Sequence, residues 1–214
     1  MRILGRNYHV FGRGVGRVNF ILPYVSNADV LDIGVVQHDV HNIEERNWIH
    51  RHVADVANSC LGVDIDDVGV EKLKDLGFNV IRGDAQNLDI SERFDVVVAG
   101  DVIEHLDNPG GLIQSAQRHL RPRGLLLITT PNPWWWMHII RAIKGRVHVN
   151  PEHTTWFSLG TLTELLRRYG FVIDHYEYGS GDEWLYRLIF LPRMIRHRSL
   201  WVVARSEDER ISNG

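Results

Sequence analysis

The 214 residues carry 24 Lys and Arg against 27 Asp and Glu, a formal net charge of −3. This balance has no long single-sign block, so it excludes a protein that relies on nucleic-acid phosphates and favours a small or neutral partner. A single cysteine, Cys60, excludes an internal disulfide and any multi-cysteine zinc site.

In chain order, FGRGVGR (11–17) brings Gly12, Gly14 and Gly16 together, but it precedes the first strand and opens no strand-to-helix turn. It is read as no phosphate-binding loop. DVLDIG (29–34) predicts the first strand. A helix follows within 41–58, where Ile49, Val53 and Val56 recur at helical spacing. CLGVDI (60–65) is a second strand, 67–76 a helix and NVIRG (79–83) a third strand. FDVVVAG (94–100) is apolar without interruption, which predicts a strand buried on both faces. A helix through Gly111 to Leu120 and a strand at GLLLITT (124–130) complete the centre. Beyond an aromatic segment (131–158), Ser158 caps a helix through Tyr169 that stops at Gly170. FVIDHYEY (171–178) and LWVVARS (200–206) predict an antiparallel edge pair with a helix inserted at about 183–198.

Short strands alternating with helices predict a doubly wound α/β sheet, mostly parallel, with helices on both faces. One domain over 1–214 is expected, with its core at about 26–206. The first residues lack the apolar run of a leader, and no stretch approaches the ~20 apolar residues that span a bilayer. The expected compartment is the cytoplasm.

In such a sheet, ligands bind beyond the carboxyl ends of the strands. Acids stand there: Asp32 and Gly34 at the end of strand one, Asp64 at strand two, Asp84 after strand three, Asp101 after strand four. An acid at the end of strand two can accept from both hydroxyls of a ribose. A short carboxylate at Asp84 can accept from an exocyclic amine of adenine. A ring of acids repels a pyrophosphate and attracts a sulfonium and an ammonium, which favours S-adenosylmethionine over a dinucleotide. The simpler readings are that Asp32 and Asp64 cap loops, that Asp84 is a turn residue and that His105 bonds a loop carbonyl.

Five segments carry a family resemblance: VLDIG (30–34), LGVDID (61–66), GDAQNL (83–88), FDVVVAGDVIEHLDNPGGLI (94–113) and RPRGLLLITTPNP (121–133). In order and spacing they resemble the class I S-adenosylmethionine-dependent methyltransferases, over roughly residues 26–206. PEHTTWFSLGTLTELLRRYGF (151–171) resembles the branch with ubiquinone-pathway O-methyltransferases and enzymes encoded among glycan-biosynthesis genes. The resemblance implies a seven-stranded sheet with an antiparallel last strand, and S-adenosylhomocysteine as product. It places Asp32 and Gly34 under the methionine portion, Asp64 on the ribose, Ile65 against adenine, Asp84 and Ala85 at its edge, and Asp101 beside the methionyl group.

The chain departs from the family in the loop after strand one. The family pattern D-x-G-x-G-x-G here reads Asp32, Gly34, then Val36 and His38. Glycine there permits positive φ and close approach to a ligand, so the loop must take another path through 35–48. A catalytically silent methyltransferase-like scaffold is therefore the alternative, and the shape of loop 34–48 beside Asp64 decides between them.

Methyl transfer to a hydroxyl needs a base, for which His105 and His153 are the candidates and Glu104 a weaker one. His148, Glu152 and His153 match no metal-ligand spacing, so no metal is expected. The acceptor is expected to be a small molecule or glycan. Trp134 to Trp136 and the following MHIIRAIKGR are expected to form a buried cap over the active site. The alternative is an interfacial surface, with Arg141, Lys144 and Arg146 beside the aromatics and a second such stretch at 184–198, or a surface covered by another subunit.

Overall fold

The computed structural model describes residues 16–36, 48–146, 149–179 and 192–207. Within them run α1 (Gly16–Val25), β1 (Asp29–Ile33), α2 (Ile49–Val56), β2 (Ser59–Asp64), α3 (Asp67–Asp75), β3 (Val80–Arg82) and β4 (Phe94–Gly100). After them come α4 (Pro109–His119), β5 (Leu120–Pro131), α5 (Trp136–Ile143), α6 (Leu159–Arg168), β6 (Phe171–Gly179), α7 (Arg193–Arg196) and β7 (Ser199–Ser206). The strands form one seven-stranded sheet in the order β3-β2-β1-β4-β5-β7-β6. The five strands from β3 to β5 are parallel, and β7 runs antiparallel to both β5 and β6. This is the predicted Rossmann-like architecture.

The apolar run of β4 is explained by the two-residue period of a strand, which sends neighbouring side chains to opposite faces. Val97 and Ala99 join Leu112, Ile113 and Ala116 of α4 and Leu162 and Leu166 of α6 on one face. Val96 and Val98 join α1 and α2 on the other. Helix starts follow the polar residues before them. The Asp66 carboxylate accepts from the Val68 N–H at 3.1 Å, and the Asn108 side chain from Gly111 at 3.1 Å ahead of Pro109. Ser158 and Thr161 form the reciprocal cap of α6, and Gly170, at φ +74°, ends it as expected.

Among the described residues the packed core takes in α1, ahead of the expected start at about 26, because α1 buries Val18, Ile21, Leu22 and Val25 under the sheet. Those four residues have helical spacing, but Pro23 inside the helix and the lack of a capping signal obscured it. Of the inserted helix expected at about 183–198, residues 183–191 lie outside the described ones. The described part is a single helical turn, Arg193–Arg196, which gives way to β7 at Ser199. Gly12 and Gly14 also lie outside the described residues, while Gly16 starts α1. Among the described residues, no helix is long and apolar enough to cross a membrane.

The strand order reverses between β1 and β4. The crevice beyond their carboxyl ends is where an open α/β sheet binds its ligand.

Candidate active site

A cavity of about 540 Å³ opens at that crevice, a size suited to a cofactor. Asp32, Gly34, Asp64, Ile65, Asp84, Ala85 and Asp101 all line it, together with His105. The sheet register explains the convergence, since Asp32 pairs with Gly62 on β2 and with Val98 on β4, so these strands end level.

Asp32 is buried, and its Oδ2 stands 2.9 Å from Nδ1 of the equally buried His50. Gly34 has φ +79°, and a Cβ there would lie 2.2 Å from Cγ2 of Val102, so both backbone and space require glycine. Asp64 accepts from the backbone N–H of Val36 at 2.8 Å and of Asp66 at 3.0 Å. Burial pushes its carboxyl above the ordinary range, against the lowering effect of those N–H groups. A carboxylate has four acceptor sites, so hydroxyls can still bind there. Ile65 is 64% exposed beside it, a bare apolar surface facing an open cavity. Asp84 is a turn residue as well as a lining one, since it caps a 3₁₀ turn by accepting from the Gln86 N–H at 2.9 Å. Asp101 takes φ +56°, a conformation uncommon outside glycine, and its carboxylate accepts from the Thr129 hydroxyl at 2.9 Å.

Arg17 of α1 also lines the cavity and is ion-paired with Asp101. Sequence reading missed it because α1 was not recognised; the helical spacing of Val18 to Val25 was the available signal.

The two candidate bases come together. His105 ends a short 3₁₀ turn, Ile103–His105, and its ring meets that of His153 edge-on, with centroids 4.7 Å apart at 88°. Behind them Glu104 is buried, with Oε2 accepting from Thr130 at 2.9 Å. Its Oε1 is buried without a hydrogen-bond partner among the described residues. Burial, and then the neighbouring Asp101, push the Glu104 carboxyl up to about 8. One ligand atom from each of Glu104, His105 and His153 lies within 4.8 Å of the others, a spacing that a divalent cation can bridge. This differs from the His148, Glu152 and His153 set weighed from sequence, in which His148 lies outside the described residues.

A family model described as a methyltransferase domain matches residues 8–176. The chain belongs to that methyltransferase family. A probable S-adenosylmethionine-dependent methyltransferase of Mycolicibacterium smegmatis is 33% identical over 126 residues, covering 57% of this chain and 47% of that protein. The ubiquinone biosynthesis O-methyltransferase of Rhodopseudomonas palustris is 34% identical over 77 residues, covering 36% of this chain and 28% of that protein. The matches thus span about half, or less, of these relatives' length. Among solved structures, an S-adenosylmethionine-dependent methyltransferase from Mesorhizobium loti aligns with a TM-score of 0.62 at 19% identity, over 88% of this chain and 95% of that one. Magnesium protoporphyrin IX methyltransferase from Synechocystis, solved with bound S-adenosylhomocysteine, aligns with a TM-score of 0.62 at 16% identity, over 89% and 80%. These two likenesses establish the fold.

The aromatic segment of this family member is not the buried cap expected. No residue of α5 is buried, Trp134 is 50% exposed and Ile143 80%. None of the described residues of 131–158 lines the cavity. The reason is Asn132, whose side-chain amide donates to the His197 carbonyl at 2.7 Å and ties the segment to the α7–β7 side.

Proposed function

We propose that this domain transfers a methyl group from S-adenosylmethionine to an oxygen, or less favourably a nitrogen, of a small-molecule or glycan acceptor. The observation that carries the reading is that the seven sequence-predicted cofactor residues line one cavity together with His105. The lining fits the cofactor part by part. Asp64 suits the ribose, the exposed Ile65 with Asp84 and Ala85 suits adenine, and the acids Asp32 and Asp101 suit the cationic sulfonium and ammonium. Arg17 supplies the positive charge that a methionine carboxylate needs. Bound S-adenosylmethionine supplies an electrophilic methyl carbon.

The chain's own residues must align an acceptor with that carbon at about 3–3.5 Å and take its proton. His105, which lines the cavity, is the base that accepts the proton of an acceptor hydroxyl. His153 packs edge-on against it and fixes its plane. Glu104 lies within 4.8 Å of both imidazoles, where its carboxyl, pushed up to about 8, hydrogen-bonds as a neutral acid.

The silent-scaffold alternative required a side chain from the altered loop to fill the space beside Asp64. Residues 37–47 of that loop lie outside the described ones; its described flanks, Val35, Val36 and Trp48, line a cavity beside Asp64, which supports the enzyme. Calorimetric titration with S-adenosylmethionine and S-adenosylhomocysteine tests the reading. Micromolar binding that weakens at least ~10-fold in Asp64→Ala, about 1.4 kcal/mol, is expected. No binding of either ligand to folded protein would return the scaffold reading.

A peripheral membrane contact through α5 belongs to the same proposal. Residues 134–146 contain no acid, expose Trp134, Ile139, Ile140 and Ile143, and carry Arg141, Lys144 and Arg146. That combination suits an anionic interface and a lipid-linked acceptor drawn from it, with the protein working from the cytoplasm.

A further inference from the structure

Beyond Gly34 the loop after β1 lacks the family's two further glycines, yet glycines stand where Val36 and the start of α2 pack. A Cβ at Gly69 of α3 would lie 2.4 Å from Cγ1 of Val36, the residue at the first missing glycine position, and 2.7 Å from Oδ2 of Asp66. A Cβ at Gly62 of β2 would lie 2.7 Å from Cγ1 of Val80 and 2.8 Å from Cε1 of His50, and one at Gly100 of β4 would lie 2.7 Å from Cδ1 of Ile49. Real Cβ atoms do not approach so closely, so glycine at these positions makes room for Val36 and for the first residues of α2. The room that a glycine turn leaves within itself is here made by its surroundings.

Both flanks of the loop are also tied to the cofactor acids. On the near flank, Val36 donates its N–H to Asp64, and the Val35 carbonyl accepts from the buried indole N–H of Trp48 at 2.9 Å. Trp48 in turn meets Phe78 edge-on, with centroids 5.0 Å apart. On the far flank, His50 faces Asp32 with both side chains almost wholly buried. In its Nδ1–H tautomer His50 donates to that carboxylate oxygen at 2.9 Å. Without that donor Asp32 would be a buried acid short of a partner, a costly state.

We propose that Val36, Trp48 and His50 form a clamp that replaces the family's glycine turn, with His50 as a positioning residue that fixes Asp32 for the cofactor. The inference rests on the cofactor reading above. It also pairs residues across the sequence: Val36 with Gly69, Ile49 with Gly100, and His50 with both Gly62 and Asp32.

The experiment has two arms on the full chain. The first titrates S-adenosylhomocysteine into wild type, His50→Ala, His50→Asn, Asp32→Asn and the His50→Ala/Asp32→Asn double variant. His50→Ala is expected to weaken binding roughly tenfold. His50→Asn, which returns an N–H near Nδ1, should recover most of the loss. In the Asp32→Asn background His50→Ala should cost little more, because the two residues act as a unit. The second arm needs no ligand: Gly69→Ala should lower the melting temperature of wild type more than that of Val36→Ala, in which only Asp66 still crowds the added Cβ. Unchanged binding by folded His50→Ala, no recovery in His50→Asn, or additive losses with Asp32→Asn would overturn the positioning role. An equal Gly69→Ala penalty in both backgrounds would overturn the clamp. If wild type bound no ligand, the cofactor reading and the positioning role would fall together, while the Gly69 and Val36 cycle would still decide whether the packing is coupled. If His50→Ala failed to fold, His50→Asn with and without Asp32→Asn would still read the coupling.

Discussion

Arg17, near the start of α1, is ion-paired with Asp101, 84 residues further on at the end of β4. The pair brings the first described helix into the cofactor cavity, and it gives an acid-rich lining its one arginine or lysine among the described residues. If Arg17 meets the methionine carboxylate, truncating it costs binding more than stability, because Asp101 is 39% exposed and water can solvate it. Arg17→Ala should weaken S-adenosylhomocysteine about 10-fold, with a stability change under about 1 kcal/mol. Adenosine lacks that carboxylate, so its affinity should be the same in wild type and Arg17→Ala. Equal losses for both ligands would assign Arg17 to folding rather than to recognition.

Glu104 should make the fold sensitive to pH. Its carboxyl, near 4.5 when free, rises to about 8 in the fold because burial and Asp101 disfavour the charge. Between those values the folded chain holds a proton that the unfolded chain has released, so stability falls as pH rises. The contribution is complete below about 4.5, is lost as pH rises through about 8, and changes no further above it. Melting temperatures of wild type and Glu104→Gln, taken from pH 5 to 9, should therefore differ in slope, with wild type losing more. Parallel curves would mean that Glu104 is ionised in the fold throughout that range.

The cap of α6 gives a prediction that does not depend on the cofactor. Ser158 Oγ accepts from the Thr161 N–H at 3.2 Å, and the Ser158 N–H donates to Thr161 Oγ1 at 3.0 Å. The helix they start carries Leu162 and Leu166 into the larger core cluster. Ser158→Ala should cost about 1 kcal/mol, and Ser158→Asp should restore most of it. For a chain of this size that is a fall of roughly 2–4 °C in melting temperature. A loss confined to the ends of α6 in hydrogen exchange, without a shift in the global midpoint, would show that this helix opens on its own.

What could be read from sequence was set by how local the governing physics is. The apolar run of β4, the acids at strand ends and the Ser158 cap each declare themselves within a few residues. They led to the sheet and to Asp32, Gly34, Asp64, Asp84 and Asp101, while Ile65 and Ala85 came from the family resemblance. Arg17 was illegible because its helix carries Pro23 and no cap, and its partner lies 84 positions away. His50 was illegible for a related reason. Its role appears only once β1 and β2 lie side by side and Gly62 makes room for it. The aromatic segment was misread as a cap because apolar composition alone does not say which side of a helix is covered. Asn132, a single polar anchor, decided its path.

That exposed segment yields the last prediction. On α5, Ile139, Ile140 and Ile143 are 39%, 37% and 80% exposed, with Trp134 at 50% just before the helix. Arg141 and Lys144 share this short stretch and Arg146 follows, with no acid to offset them. Apolar burial and attraction to anionic headgroups act together at an interface, and the second part is screened by salt. The protein should co-sediment with phosphatidylglycerol-containing vesicles and much less with phosphatidylcholine alone, and binding should fall between 50 and 500 mM salt, ionic strengths of roughly 14 to 4 Å screening length. Ile143→Asp places a charge at the most exposed apolar position of the segment and should abolish sedimentation while leaving the stability within about 0.5 kcal/mol of wild type. Equal binding to both vesicle types would remove the electrostatic part. A concentration-dependent dimer that Ile143→Asp breaks, without vesicle binding, would make α5 a contact between two copies of the chain.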